Sequence, residues 1–507
     1  MQGWVAGEWV AIALGFALLV AARRRGWVAA LSWAAVPFLV WVVLGAWWVT
    51  LYVQPAVPSW DGARLTAALV VRLGLTLYPA PETGSVLSWF YGPVAALAYM
   101  PATLGTNPIA MLLIARGMSL VYFFGPLLWL LGREAQRGRT GHVTTVCGVA
   151  LAATIADSSA GLRYASTAVL ADNPALGLGL VALIVLTHRE GPPGPFRLAL
   201  AIAAATLAAW SKQLAAPLLP LIVLWAWWVG GRRHGLWALA FSIIATLIST
   251  SVFIIYFGGP NLLFGLGSVL VRYPYRVQGA WPVARAAAEA LGPDLVPLLA
   301  LNVVGAGLTL RGAGRPFGWG LFPLWAFFNL PLASLSYAKV GGDVNSLAFV
   351  TTPMLAGGCL LWVRAAMDQR WAAWGLLALT LLFGWLQSQR LEEVRAPRPP
   401  AWLVEERMVI SYLKAHPGEA YFPERPLDHL AVERRFTHQE YGLLDRDLAG
   451  FPLAHEHIRQ GMPPDARRLV YPAGLTYAGY FAHRALPEFQ HETQVPELPG
   501  AIVHERD

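Results

Sequence analysis

Long apolar runs alternate with short polar segments through the first 390 residues of this 507-residue chain. A helix needs about 20 apolar residues to cross the hydrocarbon core of a bilayer. Measured against that length, the pattern predicts about twelve crossings, several of them short. The predicted spans are residues 5–22, 27–53, 108–131, 142–157, 173–187, 198–210, 214–229, 235–257, 295–310, 318–335, 347–364 and 371–388. We therefore expect an all-α polytopic membrane domain over residues 1–390.

The composition agrees with this class. The chain is 56% hydrophobic and 13% charged, which excludes an ordinary soluble globular protein. A net charge of +8 would also fit a nucleic-acid-binding protein, but the arginines form short clusters between apolar runs, where they determine topology. The two cysteines, Cys147 and Cys359, lie inside apolar runs, so neither a disulfide framework nor a cysteine metal site is indicated.

Arginine clusters occupy every second loop, as the positive-inside rule requires of cytoplasmic loops. They are Arg23/Arg24/Arg25, Arg133/Arg137/Arg139, Arg189/Arg197, Arg232/Arg233, Arg311/Arg315 and Arg364/Arg370. Because Arg23 follows the first apolar run, residues 5–22 are expected to be a true helix and not a cleaved signal peptide. Both termini then lie outside, together with residues 54–107, 158–172, 211–213, 258–294, 336–346 and the tail after 390. We predict a multi-pass protein of a bacterial-type inner membrane with its active face outward, periplasmic or extracellular.

The first outer loop carries the most informative pattern. Over residues 60–75 leucines recur every fourth position with arginines opposite them, which predicts an amphipathic helix on the membrane surface. Residues 90–101 predict a second helix that is too short to span. Asp61 lies in the first turn of the first helix, where a carboxylate is either a favourable helix-start residue or a functional group.

Four short motifs in chain order resemble the GT-C superfamily of integral-membrane glycosyltransferases, in particular bacterial family 39-like and 87-like members. They are Asp61 followed by Tyr91-Gly92-Pro93, then Ala171-Asp172-Asn173-Pro174, Ser211-Lys212-Gln213, and Lys339 with Asn345 in Lys-Val-Gly-Gly-Asp-Val-Asn. The resemblance implies a polyprenyl-phosphate-linked sugar donor. One departure is that Gly62 and Ala63 follow Asp61, where many GT-C enzymes carry a second acid.

The resemblance also implies roles for particular residues. An attacking hydroxyl needs a base, and the departing polyprenyl phosphate needs cations. Asp61 is the predicted base, with Asp172 as a second catalytic acid that orients the acceptor or supports Asp61, and direct displacement would invert the anomeric centre. The predicted substrate- and phosphate-binding residues are Lys212, Lys339, Arg272, Arg276, Tyr91, Trp60, Gln213 and Asn345. Lys212 and Lys339 stand out because the chain has three lysines among 37 basic residues.

Each of these assignments has a structural alternative. Lys212 and Lys339 could be interfacial lysines that extend to the membrane surface. Arg272 and Arg276 alternate with tyrosines and could form a lipid-interface belt. Asp172 could simply cap a helix. Residues 60–75, 90–101 and 258–294 are expected to roof a cavity that holds Asp61, with Trp60, Trp89, Tyr91 and Trp281 as flat packing surfaces.

The tail changes character, because a charged, proline-rich linker leads into short apolar runs alternating with helical patterns. We predict an outer α/β domain over residues 391–507 that caps the cavity or engages the acceptor. Its histidines, His438, His455 and His457, have loose spacing and no accompanying cysteine, so solvated or core histidines are favoured over a zinc site. No cofactor is certain, and a divalent metal is compatible with the sequence but not indicated.

Two other functions remain open at this stage. A transporter or lipid flippase of polyprenyl-linked or anionic substrates would also place charged residues in a membrane protein. Against transport, the polar groups gather on one face, and the sequence shows no midplane polar groups or internal repeat. A non-catalytic scaffold or lipid-sensing protein is the third reading. Glucose, mannose, galactose and arabinose donors leave no distinguishing pattern, and the acceptor, a glycan, lipid or protein, is unknown.

Overall fold

A computed structural model describes residues 58–136, 141–188, 191–310, 318–368, 370–393, 399–472 and 486–506, and residues 34–53 except 35, 38, 39, 42 and 46. The predicted span 5–22 and the first part of 27–53 lie outside the described residues. So do several of the predicted topology arginines, namely Arg23, Arg24, Arg25, Arg137, Arg139, Arg189, Arg311 and Arg315.

Helices dominate the chain up to residue 393. In chain order they are α1 (Pro58–Arg72), α2 (Pro93–Tyr99), α3 (Pro108–Ala135), α4 (Gly141–Ser158), α5 (Ala160–Thr167), α6 (Asp172–Leu186), α7 (Pro195–Ser211), α8 (Leu218–Phe257), α9 (Gly259–Leu263), α10 (Val269–Arg272), α11 (Ala280–Leu310), α12 (Leu321–Ala338), α13 (Ala348–Asp368) and α14 (Arg370–Glu393). Short 3₁₀ turns at Met100–Leu104, Gln213–Ala215 and Val344–Leu347 connect some of them.

The membrane-spanning character is confirmed, whereas the count of about twelve crossings is not. Five stretches of the described residues are long and apolar enough to span: Pro108–Glu134, Gln213–Phe257, Ala280–Thr309, Leu321–Ala338 and Val344–Met367. A sixth results if Thr144–Ser158 and Ala160–Thr167, which are bent by 104°, form one span. Shorter apolar helices lie at Pro93–Leu104, Asp172–Leu186, Pro195–Ser211 and Ala372–Leu382.

Helix α8 combines the two predicted spans 214–229 and 235–257. Gly231 interrupts it with φ 70° and ψ −172°, a conformation that glycine adopts without strain. A straight 40-residue helix would be about 60 Å long, twice the thickness of the hydrocarbon core. A Cβ at Gly235 would lie 2.6 Å from the Trp227 ring, although eight residues of straight helix rise about 12 Å. The chain therefore folds back at Gly231.

The helical core is packed around α6, which is almost entirely buried. A Cβ at Gly177 would lie 2.5 Å from the carbonyl oxygen of Tyr122, so the glycine allows α6 to approach α3 closely. Small residues that permit such close approach are typical of helix contacts in membranes. This packing places the first residue of α6, Asp172, at one end of the bundle, close to the polar segments.

Both predicted helices of the first outer loop are present. The pattern over 60–75 corresponds to α1, and that over 90–101 corresponds to α2 with its 3₁₀ extension. Of the two arginines expected on the exposed face of α1, Arg72 is exposed, whereas Arg64 is buried along with Leu65 and Leu69. The C-terminal segment covers this helix, with Leu427 contacting Gly62.

The C-terminal segment has the mixed composition of helices and strands that the sequence predicts. Its helices are α15 (Ala401–Ala415), α16 (Pro426–Asp428), α17 (Glu440–Leu448) and α18 (His455–Gln460), and its strands are β1 (Ala420–Tyr421), β2 (Arg468–Pro472), β3 (His491–Thr493) and β4 (Ala501–Glu505). The sheet order is β1-β2-β4-β3, with β1 parallel to β2 and the other pairs antiparallel. The domain bounds 391–507 stay a prediction.

This segment is hydrogen-bonded to the first loop of the helical region. The Gln439 amide donates to the Val86 carbonyl at 2.8 Å, and the Ser88 amide donates to Gln439 Oε1 at 2.9 Å. A Cβ at Gly442 would lie 2.6 Å from the Leu87 carbonyl carbon, so α17 approaches the loop backbone as closely as a glycine permits. These contacts fix α17 against the loop that follows α1.

Candidate functional site

A cavity of about 430 Å³ lies where the polar segments meet. Its lining residues fall within 60–91, 164–170, 212–214, 270–275, 332–346 and 441–448. Every segment that the topology assigned to the outer face therefore contributes to this one cavity, including the C-terminal tail. The cavity wall is mostly apolar, with a few charged groups, as in sites for ligands that are largely apolar.

Six of the ten predicted site residues line the cavity: Trp60, Tyr91, Lys212, Gln213, Lys339 and Asn345. Gln213 is held there because its Nε2 donates to the Phe90 carbonyl at 2.8 Å. Asp61, Asp172, Arg272 and Arg276 are not among the lining residues.

Lys212 is buried and paired with a carboxylate. It follows the last residue of α7 in extended conformation, and its Nζ lies 2.6 Å from Asp172 Oδ1. Asn345 Nδ2 donates to the other carboxylate oxygen of Asp172 at 3.2 Å. The Lys212 ammonium also lies 5.5 Å from the Tyr91 ring centroid. Four of the predicted residues, Lys212, Asp172, Asn345 and Tyr91, thus form one connected cluster.

Asp172 does not cap a helix, so that alternative is wrong. Helix α6 begins at Asp172 with Ala171 as its N-cap, and no side chain makes a capping hydrogen bond there. The carboxylate is turned instead toward Lys212 and Asn345. Its function in the structure is to hold the ammonium group of Lys212 at the cavity wall.

Lys339 reaches the cavity from the end of α12. Its Nζ donates to the Leu270 carbonyl and lies 5.4 Å from the Tyr275 ring centroid, and burial lowers the pKa of its ammonium group. Backbone pairing fixes this position, because Val340 N donates to the Pro274 carbonyl at 3.0 Å. Unlike Lys212, Lys339 has no ion pair within 4 Å among the described residues.

Arg64 is a third cation in the cavity, and the sequence reasoning gave it no site role. Its guanidinium lies 4.5 Å from the Tyr91 ring centroid and 5.6 Å from that of Trp60. The side chain is 8% exposed, and within the described part of the chain its Nη1 has no hydrogen-bond partner. A buried guanidinium with an unused donor is suited to binding an anion.

Asp61 is held in a closed network beside the cavity. Arg116 Nε donates to its Oδ2 and the Val169 amide donates to its Oδ1, both at 2.7 Å. Asp61 is 1% exposed, and burial raises the pKa of its carboxyl while Arg116 and Val169 oppose that rise. Arg116 also lies 4.4 Å from the Trp402 ring centroid. The neighbours of Asp61 on α1, but not its carboxylate, line the cavity.

Several residues expected at the cavity lie elsewhere. Arg272 and Arg276 are exposed, with Arg272 over the Phe451 ring at 4.8 Å and Arg276 Nη2 donating to the Tyr337 carbonyl at 2.7 Å. Trp281 is 76% exposed and does not line the cavity. Trp89 is buried beside a smaller neighbouring cavity.

A carboxylate from the tail lines the cavity as well. Asp445 on α17 is 7% exposed, and the Tyr273 hydroxyl donates to its Oδ1 at 2.5 Å. Burial raises the pKa of Asp445 to about 6, opposed by hydrogen bonds from Ser88 and Tyr273 and by the charge of Arg64. Asp445 Oδ2 has no hydrogen-bond partner in the part of the chain that the structure describes.

Three residues at or beside the cavity, Arg116, Arg64 and Asp445, were not predicted from the sequence, and they differ in how far a sequence pattern could have identified them. Arg116 interrupts an otherwise apolar predicted span, and a charge at such a position is a functional hypothesis by default. Arg64 lies one helical turn after Asp61. Asp445 lies in an ordinary amphipathic pattern among other acids, so only the packing of α17 distinguishes it.

The histidines of the tail serve packing and hydrogen bonding. His438 is buried, accepts from the Val86 amide at its Nδ1 and directs Nε2 toward the His457 carbonyl. Burial lowers the pKa of His438 to about 4, so the ring is neutral. Among the described residues, no three His, Cys, Asp or Glu side chains are grouped to hold a metal ion.

No protein-family model and no curated protein sequence matches the chain. The structure is similar to the crystal structure of ArnT from Cupriavidus metallidurans, which was determined with bound undecaprenyl phosphate. The similarity covers 92% of this chain and 97% of that chain, with a TM-score of 0.53 and 12% sequence identity. At this identity the comparison shows the fold alone, and that fold is ArnT-like.

Proposed function

We propose that this chain is a membrane glycosyltransferase that moves a sugar from a polyprenyl-phosphate donor to an acceptor hydroxyl. It acts on the outer face of an inner membrane, in glycan biosynthesis for the cell envelope. One observation carries the proposal: a GT-C-type fold gathers Arg64, Lys212 and Lys339 around a single cavity with an aromatic wall. The bound undecaprenyl phosphate of the similar ArnT structure supports the class of donor.

The three cations suit the leaving group of such a transfer. Negative charge develops on the departing phosphate, and cations already in place in a low-dielectric cavity stabilise it without reorganisation. Lys339 can offer further N–H donors, because an ammonium has three and the Leu270 carbonyl takes one. Asp172 holds Lys212 at the wall. Arg272 and Arg276 remain in the proposal as exposed cations on the adjoining loop that attract the anionic headgroup.

Asp61 remains the proposed base, and direct attack by the acceptor hydroxyl would invert the anomeric centre. Both of its carboxylate oxygens accept hydrogen bonds in the structure, from Arg116 and Val169. Asp61 is 1% exposed and does not line the cavity, so general-base action requires a movement that brings its carboxylate to the cavity when the substrates bind. The ion pair with Arg116 opposes the rise in the pKa of Asp61 that burial causes.

The direct test uses the full chain in lipid nanodiscs with radiolabelled undecaprenyl-phosphate-linked sugars and membrane extract as acceptor. We expect label to move from the lipid carrier to a product that no longer contains undecaprenyl phosphate. Asp61→Asn should lower turnover about a hundredfold or more, in line with general-base contributions. Repeating the assay in sealed vesicles tests the transporter alternative, since intact donor recovered on the opposite side would favour transport.

The phosphate-binding step has a matched control in the third lysine. Lys339→Met should weaken binding of undecaprenyl phosphate about tenfold or more, because a hydrogen bond to a charged group is lost. Lys339→Arg should restore affinity only in part, since the guanidinium is larger and planar. Lys414→Met removes an exposed lysine of the tail and should leave affinity unchanged. Equal affinity of Lys339→Met and wild type would contradict the phosphate site.

A further inference from the structure

The cavity holds a carboxylate that the proposed transfer does not use. Asp445 lines it from the C-terminal segment, more than nine-tenths buried, with Oδ1 bound by Tyr273 and Oδ2 unpartnered among the described residues. A buried carboxylate oxygen without a donor is costly, because the group has lost water and gained nothing in return. A ligand hydroxyl would supply the missing donor.

Helix α17 presents one face to the cavity. Tyr441, Leu444, Asp445 and Leu448 all line it, at the spacing that places residues on one side of a helix. The opposite side is fixed, since Gly442 contacts the Leu87 backbone and Arg446 donates to the Pro81 carbonyl. Asp445 is therefore held on a rigid element and cannot swing out to solvent.

The surroundings of Asp445 favour a sugar over other ligands. Tyr273 donates to it, and Tyr441, four residues before it on α17, lies 5.2 Å from Trp60 between ring centroids. This arrangement suits a sugar, because aromatic rings can pack against the C–H groups on its ring face while a carboxylate accepts hydrogen bonds from its hydroxyl groups. A carboxylate repels phosphate, so Asp445 favours the hydroxyl-bearing part of a ligand over its phosphate.

We propose that Asp445 binds a hydroxyl group of the sugar in this cavity, so that the C-terminal segment supplies a specificity-determining residue to the helical region. The inference rests on the proposed function, because the sugar belongs either to the lipid-linked donor or to the acceptor. In both cases the bond formed is a hydroxyl hydrogen bond to Oδ2, with Oδ1 still held by Tyr273.

The test measures binding to the full chain in nanodiscs by titration calorimetry. One arm uses undecaprenyl phosphate, a second uses undecaprenyl phosphates that carry glucose, mannose, galactose or arabinose, and a third uses the methyl glycosides of these sugars. Asp445→Asn preserves size and the Tyr273 contact, and Asp445→Glu preserves charge. Asp447→Asn is the matched control, because this acid is on the same helix and does not line the cavity. Melting temperatures are followed for each variant.

We expect Asp445→Asn to weaken binding of at least one sugar about tenfold or more, the effect of losing a hydrogen bond to a charged group. Binding of undecaprenyl phosphate should stay unchanged. A loss in the second arm alone assigns the donor sugar, and a loss in the third assigns the acceptor. Equal losses for undecaprenyl phosphate and the sugars, or no loss for any sugar, would overturn the inference. Should wild type fail to bind undecaprenyl phosphate, the proposed function fails, while the third arm still decides the role of Asp445.

Discussion

The helical region places buried carboxylates beside the cavity and the C-terminal segment places one in the cavity wall, and the two regions stabilise them differently. Asp61 and Asp172, from the helical region, are each paired with a buried cation, Arg116 and Lys212. Asp445, from the C-terminal segment, accepts hydrogen bonds from the hydroxyls of Tyr273 and Ser88, lies within reach of the charge of Arg64 and, among the described residues, has no hydrogen-bond partner at Oδ2. The protein supplies a hydrogen-bond donor to both oxygens of the first two carboxylates, whereas one oxygen of the third can still accept a hydrogen bond from a ligand.

This difference separates two uses of a buried acid. A carboxylate paired with a cation fixes the positions of two helices, and removing one partner leaves an uncompensated charge. A carboxylate with an unused acceptor contributes little to the fold and can respond to a ligand. Variants of the paired acids should therefore change stability, whereas variants of Asp445 should mainly change binding.

The largest expected effect is at the Asp61–Arg116 pair. Arg116→Met should cost about 3–5 kcal/mol of stability, because it strands a buried carboxylate. The double variant Asp61→Asn/Arg116→Met removes both charges and should recover most of that loss, as followed by thermal unfolding in detergent. Arg285→Met breaks an exposed pair with Glu289 and should change little. If the double variant regains stability and also turnover, Asp61 is an anchor and not the base.

The Asp172–Lys212 pair tests whether a paired cation also serves the ligand. Lys212→Met should destabilise the chain and weaken binding of undecaprenyl phosphate about tenfold or more. Adding Asp172→Asn should restore stability but not affinity if the ammonium contacts the phosphate. Recovery of affinity in the double variant would instead mean that Lys212 only balances Asp172.

The junction between the two regions should give a smaller effect. Gly442→Ala places a Cβ 2.6 Å from the Leu87 carbonyl carbon, and overpacking of this kind costs about 1–3 kcal/mol. We expect faster proteolysis of the C-terminal segment and weaker sugar binding, with binding of undecaprenyl phosphate unchanged. Asp447→Ala, on the same helix, serves as the control. An unchanged cleavage rate would show that α17 does not depend on this close contact.

The last expected effect depends on pH and concerns a buried acid away from the cavity. Burial, reinforced by Glu424 and opposed by Tyr471, raises the pKa of Glu440 to about 9 from the ordinary 4.5. The folded state then holds its proton more tightly than the unfolded state, so stability is full below pH 4.5 and falls as pH rises toward 9. Glu440→Gln should flatten this fall in melting temperature between pH 5 and 9, and exposed Glu497→Gln should not. A parallel fall in both variants would contradict the assignment.

Much of the architecture can be predicted from the amino-acid sequence. The apolar runs identify a multi-pass protein, the motifs around Asp61, Asp172, Lys212 and Lys339 predict a GT-C-type fold, and the comparison shows an ArnT-like fold. Gly231, where helix α8 is interrupted, lies in the arginine-containing loop that the sequence predicts between the spans 214–229 and 235–257. These features are local in sequence, because each depends on hydrophobic periodicity or on a short motif.

The composition of the cavity depended on contacts that local patterns do not encode. Arg64 lies on the face of α1 that a surface helix would expose, yet the C-terminal segment covers that helix and leaves the guanidinium buried at the cavity. Arg272 and Trp281 have the residue types of a binding site but remain exposed. Burial of these side chains is decided by partners distant in sequence, so neither periodicity nor spacing could predict it.

The sequence by itself determined the membrane class, the grouping of polar segments on one face, and two of the cations of the cavity. The tertiary structure alone decided which of these carboxylates are paired with a cation and that Asp445, at the cavity wall, keeps an oxygen without a hydrogen-bond partner among the described residues. The physical reason is that a motif specifies a residue type at a position, whereas ion pairing requires atoms within about 4 Å of each other. Asp61 meets Arg116 and Asp445 meets Tyr273 only after the helices pack and α17 docks.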